Sequence, residues 1–502
     1  MIFYTFLIHF SQETSFFKDV NSKDSFSKKG NVFSFKNLVF NSELLECDLN
    51  NGEVVYQTNN LKCNGASGQS NTEFLIKSSQ NNNNKITINP SGEEVKVHLQ
   101  SLTISISCPV EVKGSGIVRI YLSGTNSFTS TGGHPGFACN EQTVSIIIDK
   151  EEGSDDYSGA LIVKGAGHNP GLGSTQGSGC KSIQINGGYI EVTGGKDDTT
   201  KTWSQSKNEY QYHLSGPGIG TTTGGPGGNV EEIVIRGGIV IATGGDSDGA
   251  AIGTGSYGYV GKIDILGGTV IAYGSLYGAA IGAGAGRGEG ASCIGNISIS
   301  SPAVVKAYAP DNNQASGAGI GGGAGGCKSS SQVNQIEING GKILAYHKEG
   351  LAAAIGGGYG YKIEDAALVK FLYIRGGTIV VYGAPKSHGI GCGEGDSDNL
   401  DTNAINSGRV YTMKIYSLDR LYAEGRARYV LGQGETANNR KVGSSDNLYP
   451  TGFGDKIECM DTQRVCWYPD KTNPFTPTGP DPLIDSTSIC NISKGDVIRN
   501  EW

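Results

Sequence analysis

Through the middle of the chain, short apolar runs alternate with polar residues, and pairs of runs are hinged on two glycines. Aligned on that glycine pair, the segments read IQINGGYIEVTGG from Ile183, IVIRGGIVIATGG from Ile233 and IDILGGTVIAYGS from Ile263. IEINGGKILAYHK from Ile336 and LYIRGGTIVVYGA from Leu372 repeat the pattern, with a degenerate copy, ISISSPAVVKAYA, from Ile297. Period-two alternation marks a strand with one buried face. Each unit therefore predicts two strands meeting at a Gly–Gly corner, where positive φ carries no steric cost. A second motif recurs between units: GPGIG at Ile219, GAAIG at Ile252 and Ile281, GAGIG at Ile320, AAAIG at Ile355 and SHGIG at Ile390, with weaker forms at Leu172 and Phe137. It predicts a third, very short strand.

None of these strands can bury its apolar side alone. Stacking successive units does so, placing each Ile on the Ile of the unit below at about 4.8 Å. The predicted fold is thus all-β: a single-stranded, right-handed parallel β-helix with one coil per repeat of roughly 30–40 residues. A propeller would need about four antiparallel strands and hairpin turns per repeat, which the pattern does not offer. The predicted organisation is a possible signal peptide at 1–11, an N-terminal cap with irregular β structure at 12–84, β-helix coils at 85–435 and an extended Pro-rich tail at 436–502. The tail segment YPDKTNPFTPTGPDPL suits neither helix nor central strand.

Composition changes this picture only at the margins. The 79 glycines follow no Gly-X-Y period, which excludes collagen. A net charge of −8 with no basic stretch argues against a nucleic-acid partner. The apolar run Ile2–Phe10 is long enough for a signal h-region but lacks a basic flank, and no segment has the length of a membrane span. Eleven cysteines, an odd number, leave at least one thiol unpaired or intermolecular in a secreted chain. Cys459 and Cys466 are the candidate disulfide, and Cys293 with Cys327 a second possibility. Cys139 and Cys392 fall at the same repeat phase and read as small inward fillers. In a secretory route, the NIS sequons at Asn296 and Asn491 are glycosylation acceptors.

The succession SGTNSFTSTGGHPGF, GALIVKGAGHNPGLGS, IQINGGYIEVTGG and GAAIGTG resembles Gly-rich β-helical surface proteins of bacteria and some protists, often labelled carbohydrate-binding-domain-like. The likeness covers about residues 85–395. It implies a secreted or cell-surface protein, an adhesin or glycan binder. A lesser likeness is to chlamydial-type polymorphic outer-membrane proteins with their GGAI repeats, although the companion FxxN repeats are not evident here.

Candidate chemistry is sparse. On the first strand of each coil the outward carboxylates Asp264 and Glu337 lie two coils apart, roughly 10 Å, near the upper end of an inverting glycosidase pair. A serine coil separates them, no cation stands beside them, and a solvated face is the simpler reading. Asp197–Asp198, Asp246–Ser247–Asp248 and Asp396–Ser397–Asp398 are oxygen-rich turns that suit calcium but lack EF-hand or β-roll spacing, so no cofactor is expected. GAGIGGGAGG around Ile320 lacks the Lys-Ser/Thr and helix of a phosphate loop. No Ser/His/Asp arrangement is evident.

The second strand carries the most telling feature. Its outward positions should be polar, yet they read Ile241, Ile271, Leu344 and Val380, followed by Tyr273, Tyr308, Tyr346 and Tyr382. In the degenerate coil, Val305 and a one-residue bulge at Lys306 would bring Tyr308 into line. Such an aliphatic and Tyr stripe predicts a face for glycan or cell-surface partners, or one covered by the tail with Trp467, Tyr468 and Phe475 or by a second chain. The expected function is therefore non-enzymatic adhesion or glycan and partner binding, with a structural coat or stalk, or a polysaccharide-active enzyme, as alternatives.

Overall fold

The computed structural model describes residues 45–150, 159–196, 214–222, 228–286, 291–325, 331–360, 367–393 and 408–415, with breaks at 59, 64–65, 70–71, 348 and 385–386. It also describes the backbone of strands Phe26–Lys28, Asn31–Phe33, Trp203–Ser204, Glu209–Tyr210, Arg420–Glu424 and Leu431–Gly432. Residues 1–11, the Pro-rich stretch 436–502 with Cys459, Cys466 and Asn491, Cys327, and the Asp197 and Asp396 turns lie outside the described residues.

The chain divides into two compact units, Met1–Leu45 and Glu46–Trp502. Within the first, Phe26–Lys28 pairs antiparallel with Asn31–Phe33. The second is all-β, and its strands stack coil on coil in three parallel walls. In the first wall, Gly179–Ile185, Asn229–Ile235, Tyr259–Ile265 and Ser292–Ile299 follow one another in register. In the second wall, Tyr189–Thr193, Ile239–Thr243, Thr269–Tyr273 and Val304–Tyr308 do the same. The Gly pair lies between these walls, and its second member has positive φ: +89° at Gly188, +77° at Gly238 and +75° at Gly268. The degenerate coil turns the same corner through a cis Ser301–Pro302 bond. Three strands run through the corner without a break, Ser115–Ser130, Ser331–Tyr346 and Leu368–Tyr382, joining both walls into one 20-stranded sheet.

The third wall belongs to a 14-stranded sheet built mostly from strands of two to four residues. Ile219, Ile252, Ile281, Ile320, Ile355 and Ile390 stand directly above one another, and all are fully buried. With Val240, Val270, Val305, Ile343 and Ile379 of the second wall they form the aliphatic core that the repeat predicts. The ladders continue N-terminal to residue 85: Glu73–Lys77 pairs in parallel with Lys96–Gln100, and Val54–Gln57 with Ile86–Asn89. Beyond Val54–Gln57 the third wall ends in two antiparallel strands, Asn60–Cys63 and Ala66–Gln69. These cover an edge that would otherwise leave backbone groups unpaired.

One cysteine expectation changes. Cys139 does point inward, but it is bridged to Cys180 across adjacent coils rather than free, and a second disulfide joins Cys47 and Cys63. Cys139 ends a third-wall strand and Cys180 opens a first-wall strand one coil on; their Cα atoms lie 5.5 Å apart, a bridging distance. Cys293 is a free thiol, and Cys327, with which it was expected to pair, lies outside the described residues. Cys392 is buried, as its phase predicts.

Candidate functional site

The structure assembles the Tyr row. Tyr273, Tyr308, Tyr346 and Tyr382 occupy one register position in four successive coils. Their ring centroids are 5.3, 6.1 and 5.6 Å apart, within the range of favourable aromatic pairs. All four rings are half-buried.

The aliphatic row beside them differs from the expectation in two ways. First, the degenerate coil has no bulge. Val305 aligns with Ile343 in the core, and Lys306 takes the outward place between Ile271 and Leu344. A regular ladder already brings Tyr308 into line, so none of the pairing energy a bulge would forfeit is lost. Second, the row is closed to solvent: Ile271 is 5%, Lys306 8%, Leu344 2% and Val380 1% exposed, and only Ile241 remains half-exposed. Burial lowers the Lys306 pKa. A row this deeply buried offers little surface to a ligand arriving from solvent.

Other sequence candidates fall apart from one another. Asp264 and Glu337 are separated by the Ser298 coil, as predicted. Each does have a cation beside it, however. Lys262, two residues along the strand, pairs with Asp264, and Arg375 of the next coil reaches Glu337 at 2.8 Å. Nor is Asp264 part of a solvated face, being only 7% exposed. Asp246 is exposed and paired with Lys196, whereas Asp248 is fully buried and accepts hydrogen bonds from Ser247 and Ser256. Asn296 is exposed on its strand.

A further feature lies apart from the repeat positions that the alternation picks out. A cleft of about 620 Å³ lies along the N-terminal half of the third wall, lined by residues from five successive coils. Glu53 precedes the first of these third-wall strands. Asn83 and Lys85 precede the second, and Ser107 and Cys108 the third. His134, then His168 and Asn169, precede the fourth and fifth, while Asn140, Thr175 and Gln176 follow them.

A hydrogen-bonded chain fixes the cleft's centre. Lys85 Nζ donates to Glu111 Oε2 at 2.7 Å, and Asn140 Nδ2 donates to Glu111 Oε1 at 3.2 Å. The Asn140 carbonyl accepts from Thr175 Oγ1 at 2.9 Å and Ser178 Oγ at 3.3 Å. Burial alone would raise the Glu111 pKa, but the hydrogen bond and charge of Lys85, with Asn140 and Lys113, bring it below the usual carboxylate range. Burial pushes the Cys108 thiol up, which keeps it protonated. Asn83, His134 and Gln176 are exposed at the cleft surface.

The residue type at one register position changes along the third wall where this cleft lies. Glu111 stands in register with Thr87 and Ala138, and Ala138 with Gly173. From Gly173 onward the same position is always glycine: Gly220, Gly253, Gly282, Gly321, Gly356 and Gly391. The sequence carries this change as VEV, FAC, LGS and IGT, with polar residues before the early strands where later coils have Gly and Ala. Searching for a shared motif hides it, because the signal is departure from the motif.

A family model described as "Beta helix repeat" matches residues 233–256, 263–285 and 336–359. Each match begins in a first-wall strand and ends just past a third-wall strand, so these stretches carry β-helix repeats. No curated protein and no solved structure matches the chain.

Proposed function

We propose that this chain is a non-catalytic, glycan-binding β-helix protein of a secreted or cell-surface setting, and that it holds its glycan in the third-wall cleft. The observation that carries this reading is the cleft itself. It is open, runs across five coils and is lined mainly by amide, hydroxyl and charged side chains. Its volume falls within the roughly 300–1,000 Å³ of small-ligand sites. The Lys85–Glu111–Asn140–Thr175 chain holds polar groups in place before a ligand arrives, which reduces the ordering cost of binding. Two disulfides support an oxidising compartment, and no helix among the described residues is long and apolar enough to cross a membrane.

The test is a glycan array probed with the full chain, followed by titration of the best ligand against Asn83→Ala/Gln176→Ala. Both side chains are exposed, so the double variant should fold normally and bind at least about tenfold more weakly, a loss of about 1.4 kcal/mol. An array without any hit, or a double variant that binds like the parent, would refute the cleft as the site. Shortening of the bound glycan on incubation would make the protein an enzyme instead.

A further inference from the structure

We propose that Glu111 makes the cleft selective for neutral over acidic glycans; this rests on the glycan-binding reading above. Acidic polysaccharides are recognised through unpaired Lys or Arg, which meet uronate carboxylates with charge-assisted hydrogen bonds. Among the described residues lining the cleft, Lys85 is the only Lys or Arg, and its ammonium is already engaged. Glu111 Oε2 lies 2.7 Å from Lys85 Nζ and 3.6 Å from Lys113 Nζ, so this carboxylate is shared between both cations. Glu53, also on the wall, acts on Lys85 in the same sense.

An entering uronate would therefore meet two carboxylates and no free cation on these walls. Like charges within a few ångströms disfavour each other strongly where solvent is partly excluded. A neutral sugar faces no such penalty. Its hydroxyls can donate to Glu53 and accept from the amides of Asn83 and Gln176, while Asn140 is held by its own hydrogen bonds. In this reading Glu111 is a specificity-determining residue. It sits at a register position that the next coil fills with Ala138 and the coils from Gly173 onward fill with glycine.

The experiment titrates the full chain with matched hexasaccharides that differ only in oxidation at C6: mannose and mannuronate, glucose and glucuronate, galactose and galacturonate. The parent should bind the neutral member of a pair at least about tenfold more tightly than its uronate. Glu111→Gln takes the shared carboxylate from Lys85 and Lys113, so uronate affinity should rise about tenfold or more relative to the neutral member of the pair and become salt-dependent. Glu53→Gln, at an exposed side chain, provides a second variant should Glu111→Gln fail to fold, with a smaller rise expected. A parent that binds uronates as well as or better than neutral sugars overturns the filter and leaves the glycan cleft standing. So does a Glu111→Gln protein that keeps the parent's preference. Binding of neither member of any pair, alongside an empty array, overturns both.

Discussion

Gly321→Ala should unfold the protein at markedly lower denaturant than the parent, with a loss of at least about 3–5 kcal/mol. Gly321 has φ +141°, and a Cβ added there would lie 1.9 Å from the carbonyl oxygen of Gly356. The obstruction is backbone of the adjacent coil, so no rotamer change relieves it. The same geometry repeats along the column: a Cβ at Gly220, Gly253, Gly282 or Gly356 meets the next coil's carbonyl at 1.7, 1.8, 1.9 and 1.9 Å. Gly177→Ala is the contrast. Its φ is +72° with nothing within 4 Å of an added Cβ, so only the local penalty of about 1–2 kcal/mol applies. Guanidinium unfolding followed by circular dichroism would decide it. Equal midpoints for Gly321→Ala and Gly177→Ala would mean that coils are not stacked at this column.

Acid should destabilise the protein well before its carboxylates titrate. His347 and His388 are fully buried. Among the described residues, neither ring nitrogen of His347 has a hydrogen-bond partner, nor does Nε2 of His388. Burial pushes the His347 pKa down to about 4, the neighbouring backbone of Ala315 and Ala353 opposing this only in part. Burial likewise takes His388 down to about 3, despite the contact of its Nδ1 with the Cys392 carbonyl. Both folded values lie below the ordinary 6.5, so between pH 6.5 and about 4 the unfolded chain binds protons that the folded chain refuses. Stability is fully present above pH 6.5 and falls by about 1.4 kcal/mol per pH unit for each histidine as pH drops. The loss totals roughly 3 kcal/mol for His347 and 5 kcal/mol for His388 once each folded pKa is passed. Unfolding curves at pH 7, 5.5 and 4.5 should show His388→Asn with a shallower acid slope than the parent. Parallel slopes would show that His388 titrates alike in the folded and unfolded chains.

Local alternation predicted most of the coil because most of the coil is local. The Ile at 219, 252, 281, 320, 355 and 390 share a phase in the chain and a column in the structure. The Tyr row was legible for the same reason. Lys306 was misplaced because a charged residue at an apolar position looks like a slipped register, whereas the strand keeps its ladder and accepts the lysine. The burial of Ile271, Leu344 and Val380 was not legible, since alternation says which side a residue faces and nothing about what lies over that side. The Cys139–Cys180 bridge joins residues 41 positions apart, in different walls of neighbouring coils, so aligning equivalent phases could not pair them. The cleft was hidden for a further reason: Lys85, Glu111 and Asn140 meet only after three coils have stacked.

The third wall also makes the stack a ruler. From Leu172 to Ile219 the chain spends 47 residues, and from Ile252 to Ile281 only 29, yet each passage is a single step in register. Each step is worth about 4.8 Å along the axis, whatever the loops between walls contain. Axial length is thus counted in coils rather than residues. Deleting a whole repeat would bring the two ends closer by one fixed graduation with every wall still in phase, while lengthening a loop would leave their separation untouched. Chains of the same pattern could therefore differ widely in size and still present their surfaces at matched heights.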